Sequence, residues 1–364
     1  METNIRITKF LWLPALKSIW KSLYNSSSLS VFQSYEFSYS LWLNYPVYLL
    51  TCREIPIFYL IEDNETPVVI APLCKKANGS YEIFGNKNGF EYCDFIYTKF
   101  TPIDRYIPML INALKSDITF HRVRETSALF DAFSKSSISE FSKIGDVINI
   151  NIPIPESHES YFKSLSSSVR QNLRTSYNRL TRDNRTLEIS FLFGTNKLVH
   201  KGGTFNSLGF DQTNTIEEFV PKGKKKDLLN QMLSLYAHRH EMRYGVKTSI
   251  LKQFYLRHFS FVSNCQLELP EAISVMLYID EKLCAFMSGF TTQNGNEFVI
   301  PRLSINNDFL FYSPGNILIN ETIRLLIEYT SIRNLDLSQG NEQYKYRMGG
   351  VEHLTKSFVW HCNI

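Results

Sequence analysis

The sequence lacks the features that mark several large classes of protein. No apolar stretch in the 364-residue sequence approaches the length of roughly 20 residues that a membrane-spanning helix needs. Its net charge of +4 is too small for a surface that follows nucleic-acid phosphates, so DNA is not an expected partner. Apolar residues make up 44% and charged residues 20%, which excludes a disordered chain. The length favours two domains or one large one.

Cysteine is sparse and shows no pattern. The six cysteines are scattered without a CxxC pair or a histidine at ligand spacing, so neither a zinc site nor a disulfide scaffold is indicated. His238 and His240 are two residues apart and lack the i, i+4 spacing of a helical zinc site. We therefore expect no metal, and reduced thiols in a cytoplasmic protein.

The N-terminal segment is not a secretory signal, because its apolar run is short, is interrupted by Pro14 and lacks a cleavage site of small residues. Its apolar side chains fall roughly on one face: Phe10, Leu13, Leu16, Trp20 and Leu23. Such a stripe usually packs on the protein's own core, which is the favoured interpretation. Peripheral contact of residues 7–24 with a membrane surface is the alternative.

The first half of the chain alternates short strands and helices. Two strands meet at the turn Asn64-Glu65 and predict a hairpin, and residues 103–115 predict a helix. Residues 127–143 are Ser-rich and poorly periodic. A half-buried strand then ends at Pro153 and Pro155, where we place the boundary between domains 1–153 and 154–364.

The second half opens with a predicted basic helix of about two dozen residues. Arg170, Arg174, Arg182 and Arg185 make it either a solvated charged face or the wall of an anion-binding groove. The run KGKKK (222–226) predicts a surface loop, with a helix from Asp227. A further helix is expected at 250–262, followed by three antiparallel strands at 272–305 with turns at 280–281 and 294–295.

The motif Ser-Pro-Gly opens the next predicted helix. Ser313 is a good N-cap, Pro314 suits the first helical position, and Gly315 exposes the backbone. Amide groups at a helix start form a ready anion site, so we expect the amides of Gly315, Asn316 and Ile317 to hold a pyrophosphate.

A carboxylate follows in the middle of the strand NLDLS. Asp336 needs a partner there, because burying an unpaired charge is costly, and Lys345 and Arg347 are the candidates. A purely structural ion pair is the alternative to a functional site.

Three segments together resemble the GNAT acyltransferases, in the branch related to CelD-type polysaccharide-biosynthesis proteins and more distantly to FemAB-like transferases. They are SVRQNLRTSYNRL (168–180), YSPGNILINETIRLLIE (312–328) and LDLSQGNEQYKYRMGG (335–350). In that family an Arg-rich helix, a Ser-Pro-Gly helix start and an Asp…Gly-acid-x-Tyr-Lys segment occur in this order. The resemblance covers residues 154–364, and segments 32–37 and 68–76 are similar to the family's preceding region.

The resemblance implies an α/β (α+β) fold, a GNAT-like mixed sheet flanked by helices, in two tandem GNAT-like domains of which the first is degenerate. It implies a cytoplasmic N-acyltransferase of surface polysaccharide biosynthesis. The co-substrate would be acetyl-CoA or another acyl-CoA, and the acceptor an amine of a sugar, such as a nucleotide-amino sugar.

The site residues follow from the same resemblance. Lys345 would stabilise negative charge or orient the acceptor, Asp336 would orient Lys345 or act as base, and Tyr344 would protonate the leaving thiolate. Ser313 and the four residues after it would bind the cofactor. The acceptor would be bound by Arg170, Arg174, Arg302 and Gln339. Gln339 stands where the family commonly has an Arg.

Two other functions compete with this one. The first is FemAB-like aminoacyl transfer from charged tRNA to a cell-wall precursor, with KGKKK and the Arg helix facing the RNA. The modest net charge counts against it. The second is a binding module that has kept the fold and lost the chemistry. The joint presence of Asp336, Tyr344 and Lys345 speaks against such a loss.

Overall fold

The chain forms two compact units. The computed structural model describes residues 4–52, 54–85, 90–135, 141–194, 196–206, 209–244 and 265–362. Residues 1–149 and 353–364 form the first unit, and residues 150–352 form the second. Strands β7 (Phe141–Pro153) and β15 (Val351–Trp360) each carry the chain across a boundary between the units. The predicted helix at 250–262 lies outside the described residues.

The first unit is a mixed sheet with helices. Its other strands are β1 (Ile5–Phe10), β2 (Ile55–Asp63), β3 (Thr66–Lys75), β4 (Tyr81–Ile83), β5 (Ile96–Tyr97) and β6 (Ile118–Arg124). Its helices are α1 (Lys17–Asn25), α2 (Tyr35–Cys52), α3 (Ile103–Leu114) and α4 (Ala128–Lys135). Strands β4 and β6 pair in parallel, whereas β1–β2, β2–β3, β3–β4 and β6–β15 are antiparallel.

The N-terminal apolar stripe packs inside this unit. Leu13 and Leu16 lie in a 3₁₀ turn that precedes α1, and Pro14 occupies its first turn, where a missing N–H costs nothing. Both leucines and Trp20 have no exposed surface, and the indole of Trp20 donates a hydrogen bond to the Gln33 carbonyl at 2.8 Å. Among the helices in the described ranges, none is long and apolar enough to cross a membrane.

The predicted hairpins are confirmed. Asn64 and Glu65 join β2 to β3 with φ values of +48° and +63°, and Asp280 and Glu281 join two strands of the second unit with +48° and +61°. Two consecutive residues with positive φ form a type I′ turn, whose twist matches that of the flanking strands.

The second unit is also a mixed sheet flanked by helices. Its strands are β8 (Leu187–Phe193), β9 (Lys197–Asn206), β10 (Gly209–Phe219), β11 (Ala272–Ile279), β12 (Lys282–Thr291), β13 (Glu297–Ile305) and β14 (Asn334–Gln339). Its helices are α5 (His158–Ser164), α6 (Ser167–Arg182), α7 (Lys222–Tyr244), α8 (Pro314–Tyr329) and α9 (Gln343–Arg347). The strand order is β10-β9-β8-β11-β12-β13-β14, and β13 and β14 pair in parallel.

The two faces of this sheet have separate cores. On one face, apolar side chains of α5, α6 and α8, such as Leu173 and Ile323, pack against the strands. On the other face, Leu229 and Met232 of α7 pack against Met276 and Phe286. The unit therefore has three layers, which confirms the predicted class of a mixed sheet flanked by helices.

Two local predictions are wrong, and one segment for which no element was predicted forms a helix. The single basic helix is two helices, because the chain breaks at Leu165 and the Ser166 side chain caps α6 by accepting a hydrogen bond from the Val169 amide. The Ser-rich segment contains α4, of whose five apolar residues three are buried. The run KGKKK is the start of α7 rather than a loop, and the ammonium of Lys225 is buried and donates to the Leu267 carbonyl at 3.1 Å.

A bulge bends β13 in its middle. Ser288 of β12 pairs with Arg302, and Phe290 pairs with Val299, so Gly289 alone faces the two residues between them, one of which is Pro301. A Cβ atom on Gly289 would lie only 1.9 Å from the Val299 carbonyl oxygen. Glycine is therefore required for this close approach, and Pro301, which has no amide hydrogen, stands where strand pairing is already interrupted.

Gly289→Ala should destabilise the protein, because the added methyl must push the β13 backbone away. We expect a loss of at least about 2 kcal/mol in the free energy of unfolding, measured by urea denaturation. Gly223→Ala is the matched control: it lies in the first turn of α7 with no atom within 4 Å of the added Cβ, and it should be neutral or slightly stabilising. Equal stability of the two variants would contradict the close packing at Gly289.

Candidate active site

Strands β13 and β14 separate soon after they pair. Their parallel ladder joins only residues 297–299 to residues 334–336, although β13 continues to Ile305 and β14 to Gln339. The separation begins at the bulge described above. Beyond it, the Ser338 hydroxyl donates to the Ile300 carbonyl at 2.8 Å and so bridges the first step of the gap. The edge of β13 past Ile300 is thus free of ladder bonds to β14.

Helix α8 begins beside the separated end of β13. A 3₁₀ turn, Asn307–Tyr312, connects the two elements. A Cβ atom on Gly315 would lie 3.5 Å from a methyl of Ile305, the last residue of β13, which is ordinary van der Waals contact. The start of a helix and a strand edge without ladder bonds therefore meet at one place.

The first turn of α8 differs in detail from the predicted cap. Ser313 adopts a left-handed conformation with φ +52° and its side chain makes no capping bond. Its carbonyl accepts hydrogen bonds from the amides of Asn316 at 3.1 Å and Ile317 at 3.3 Å. Pro314 occupies the first helical position and is buried. Within the described part of the chain, the Gly315 amide meets no acceptor, so it is the donor of this turn that can reach a ligand.

Asp336 supports a strained kink at the end of β14. Its carboxylate is fully buried and accepts a hydrogen bond from the Ser338 amide at 2.7 Å. Ser338 has φ +55°, a conformation that a non-glycine residue adopts only at a cost in free energy. The carboxylate therefore holds the backbone in the conformation that places the Ser338 hydroxyl on Ile300.

Lys345 supports the same turn from the other side. Its side chain is 3% exposed, and its ammonium donates to the carbonyls of Gln339 at 2.8 Å and of Ser338 and Gly340 at 3.3 Å. The Glu342 carboxylate lies 3.1 Å away. Four oxygen atoms surround an ammonium that has three protons, which makes Lys345 an anchor of the turn. Contact between Lys345 and a substrate stays a prediction.

Tyr344 lies beside this turn, on α9, and packs against the core on the face of α6 and α8. Burial, together with the nearby charge of Glu342, raises the pKa of Tyr344 to about 12. The phenol therefore keeps its proton at neutral pH, and its role in protonating a thiolate stays a prediction.

The four predicted acceptor-binding residues do not form one group. Arg302 lies on the α7 face, where its guanidinium is 5.7 Å from the Tyr236 ring. Gln339 is exposed at the end of β14. Arg170 and Arg174 line a groove elsewhere on the unit.

That groove, which we call the arginine groove, lies between α5, α6 and α8 and has a volume of about 670 Å³. Its lining residues are His158, Phe162, Lys163, Arg170, Arg174 and Arg324, with Glu159 at one side. His158 and Arg324 were not among the predicted site residues. Neither belongs to a motif, and both reach the groove only when α5 and α8 pack together.

A buried polar network forms the floor of the groove. His158 Nε2 lies 3.0 Å from Asn320 Oδ1, and the Asn320 amide group donates to the Tyr177 hydroxyl and to the Glu321 carboxylate at 3.1 and 3.0 Å. Tyr177 also donates to Glu321, which accepts from Arg324 at 3.1 Å. Because both amide hydrogens of Asn320 are used, its oxygen accepts from a protonated Nε2 of His158. Burial, and then the charge of Arg324, lowers the pKa of His158 to about 4.

No group of three or more His, Cys, Asp or Glu side chains in the described ranges is placed to hold a metal ion.

Comparison with known proteins agrees with this geometry. Residues 217–346, from β10 to α9, match the family model of the acetyltransferase (GNAT) domain. This segment contains the bulge, the separated strands, the start of α8 and the turn anchored by Lys345. No curated protein matches the chain significantly.

Solved structures share the fold at low sequence identity. The C-terminal domain of a putative lysylphosphatidylglycerol synthetase from Agrobacterium fabrum is 10% identical, with 96% of this chain and 92% of that chain covered, at a TM-score of 0.53. A protein of unknown function from Bacteroides thetaiotaomicron is 10% identical, with 98% and 100% covered, at 0.51. A tandem GNAT protein of clavulanic acid biosynthesis is 8% identical, with 99% of each chain covered, at 0.48. The predicted GNAT-like fold class is confirmed.

Replacing Lys345 by Met should destabilise the second unit, because three carbonyls of the turn lose their donor in a buried place. We expect a loss of about 2–3 kcal/mol in the free energy of unfolding and faster amide hydrogen exchange at residues 338–340. Lys163→Met is the control, since Lys163 is exposed and pairs only with exposed Glu159. Unchanged exchange at 338–340 would show that Lys345 does not anchor the turn.

His158 should make stability depend on pH. Its pKa is about 4 in the folded state and near the ordinary value of 6.5 in the unfolded state, so between these values only the unfolded state binds the proton. Stability is therefore retained above pH 6.5 and falls as the pH decreases toward 4, by about 2 kcal/mol at pH 5. Urea denaturation at pH 7.5 and 5.0 measures this, and His158→Gln should show a correspondingly smaller decrease. If the free energy of unfolding decreased equally in the unmodified protein and in His158→Gln, His158 would not be the cause of the pH dependence.

Proposed function

We propose that the second unit is an acyltransferase that moves an acetyl or other acyl group from an acyl-CoA thioester to an amine. The observation that carries this proposal is the separation of β13 from β14 beside the exposed Gly315 amide, inside the segment that matches the acetyltransferase (GNAT) domain. A thioester with a long arm and a diphosphate needs these two features next to each other.

The protein's main chain performs most of the chemistry in this proposal. The Gly315 amide and the positive end of α8 hold the pyrophosphate, and the free edge of β13 beyond Ile300 aligns the pantetheine arm. Main-chain amides of that edge also stabilise the oxyanion that forms when the amine attacks the thioester carbonyl. Pro301 cannot donate, so the donors are the residues on either side of it.

The side chains then have distinct roles. The amine attacks the thioester carbonyl and forms the C–N bond of a tetrahedral intermediate, which then collapses as the C–S bond breaks; the amine nitrogen releases a proton to solvent water and the thiolate gains one. Tyr344, which is protonated at neutral pH, supplies the proton to the thiolate and regains one from solvent. Asp336 and Lys345 are positioning residues: they fix the end of β14 through the hydrogen bonds described above and keep the strands apart.

The acceptor is an amino sugar or a nucleotide-amino sugar, and the reaction belongs to surface polysaccharide biosynthesis in the cytoplasm. This assignment rests on the resemblance of residues 312–350 to CelD-type proteins. The alternative is aminoacyl transfer. It is favoured by the shared fold with the A. fabrum protein, whose name describes a lysylphosphatidylglycerol synthetase.

Thiol release separates these functions. The protein is incubated with acetyl-CoA and a panel of amino sugars and nucleotide-amino sugars, and free CoA thiol is followed with a chromogenic disulfide. Release that requires an amine supports the proposal. Binding of acetyl-CoA without release on any amine would indicate a binding module, and transfer only from aminoacyl-tRNA would indicate the alternative.

Gly315→Ala should weaken acetyl-CoA binding about tenfold, because the methyl stands between the amide and the phosphate. The fold should tolerate it, since the added Cβ meets Ile305 at an ordinary 3.5 Å. Calorimetric titration with acetyl-CoA measures the effect. Gly223→Ala is the control, because Gly223 is far from this turn in sequence and no atom lies within 4 Å of the added Cβ; this variant should bind acetyl-CoA as tightly as the unmodified protein does. Equal affinity of all three proteins would show that the pyrophosphate binds elsewhere.

A further inference from the structure

The arginine groove is separate from the start of α8. Arg324, which lines the groove, lies nine residues after Gly315, and a helix rises 1.5 Å per residue, so the two points are about 13 Å apart along the helix axis. The groove's volume of about 670 Å³ is that of a site for a small organic molecule. Acyl transfer as proposed above uses none of its residues.

The groove has an excess of positive charge. Lys163 pairs with Glu159, and Arg324 pairs with Glu321. Arg170 and Arg174, by contrast, have no carboxylate within 4 Å among the residues that the structure describes. The groove therefore carries two guanidinium charges that no acidic side chain of the described chain compensates, which favours an anionic ligand.

The two arginines are held in fixed orientations. Arg170 Nη1 donates to the carbonyl of Lys163 at 2.9 Å and to that of Leu165. The guanidinium of Arg174 lies 5.6 Å from the centre of the Phe162 ring. Residues four apart on a helix share one face, so both groups converge on the same part of the groove. A fixed pair of forked donors matches the several oxygens and double charge of a phosphate better than a single carboxylate.

The opposite part of the groove is neutral and polar. His158 uses its Nε2–H on Asn320, which leaves Nδ1 as an acceptor. A neutral imidazole acceptor suits a ligand hydroxyl and does not add to the charge that the arginines provide. Phe162 supplies an apolar surface between these regions.

We propose that the arginine groove is a second ligand site, which binds a small organic phosphate or diphosphate. Its phosphate lies on Arg170 and Arg174, and its hydroxyl-bearing part lies toward His158 and Phe162. The site is occupied independently of the thioester and does not depend on the proposed acyl transfer.

Calorimetric titration of the full chain tests this, with uridine diphosphate and glucosamine 1-phosphate as probes and uridine and glucosamine as uncharged controls. We expect the phosphates to bind at least tenfold more tightly than the controls. Arg174→Gln should weaken the binding of the phosphate probes about tenfold or more, since charge-assisted hydrogen bonds are lost. The affinity of Arg174→Lys should lie between those of Arg174→Gln and the unmodified protein. Arg182→Gln is the matched control: it lies on the same helix, is exposed, pairs with Asp183, and should change affinity less than twofold.

Three results would overturn the proposal. The first is an affinity for the phosphate probes no higher than that for uridine or glucosamine. The second is an unchanged affinity for the phosphate probes in Arg174→Gln, a variant that loses the contact with the Phe162 ring and should fold normally. The third is stoichiometric displacement of the probe by acetyl-CoA, which would make the groove part of the cofactor site.

Two comparisons identify the source of the phosphate and the independence of the site. Gly315→Ala should bind uridine diphosphate with unchanged affinity even where it loses acetyl-CoA. Vesicles of phosphatidylglycerol and phosphatidylcholine should not sediment the protein in an Arg174-dependent manner. If the vesicles sediment the protein in an Arg174-dependent manner and the soluble probes do not bind, the ligand is a lipid headgroup. That result would overturn the proposal.

Discussion

The close approach of Gly289 to the Val299 carbonyl is the constraint on which the second unit depends. Parallel strands normally pair along their common length, because every buried amide and carbonyl left without a partner costs free energy. At this bulge β13 carries two residues opposite one, and one of them, Pro301, has no amide to pair. The ladder to β14 therefore ends at Val299 and Asp336, and the rest of β13 has no ladder bond to β14; beyond this point the Leu303 carbonyl accepts a hydrogen bond from Arg239 of α7 at 3.1 Å.

A separated strand needs support on its other side, and two buried charges provide it. Asp336 stabilises the positive φ at Ser338, and Lys345 binds the carbonyls of the next turn. Backbone groups bond to both charges, and the Glu342 carboxylate lies beside Lys345, which explains how the charges can be buried in the core of the unit. The same bonds leave neither group well placed to exchange protons with a substrate. The protein thus uses its ionic side chains to hold the backbone rigid, and rigid backbone dipoles are what stabilise an oxyanion without reorganisation.

Local rules predicted much of this structure. The I′ turns at 64–65 and 280–281, the helix after Ser313 and the buried carboxylate at Asp336 follow from neighbouring residues in the sequence. The bulge at Gly289 and the arginine groove do not. The groove joins His158 and Arg324, which are far apart along the chain, and its polar floor requires Tyr177 of a third helix. The start of α7 was missed for another reason: burial of Lys225 and its bond to Leu267 outweigh the preference of a lysine run for solvent.

Helix α8 links the two candidate sites, and its rotation is set by the polar network rather than by apolar contacts alone. Glu321 is 1% exposed, so its charge is tolerable only while Tyr177, Asn320 and Arg324 all bond to it. The bonds that Tyr177 and His158 make to Glu321 and Asn320 come from other helices and are directional, so a turn of α8 about its axis would break them together. Because a helix of this length is rigid, fixing its middle also fixes the direction of the Gly315 amide at its start. The network that forms the floor of the arginine groove therefore also sets the orientation of the Gly315 amide beside the separated strands.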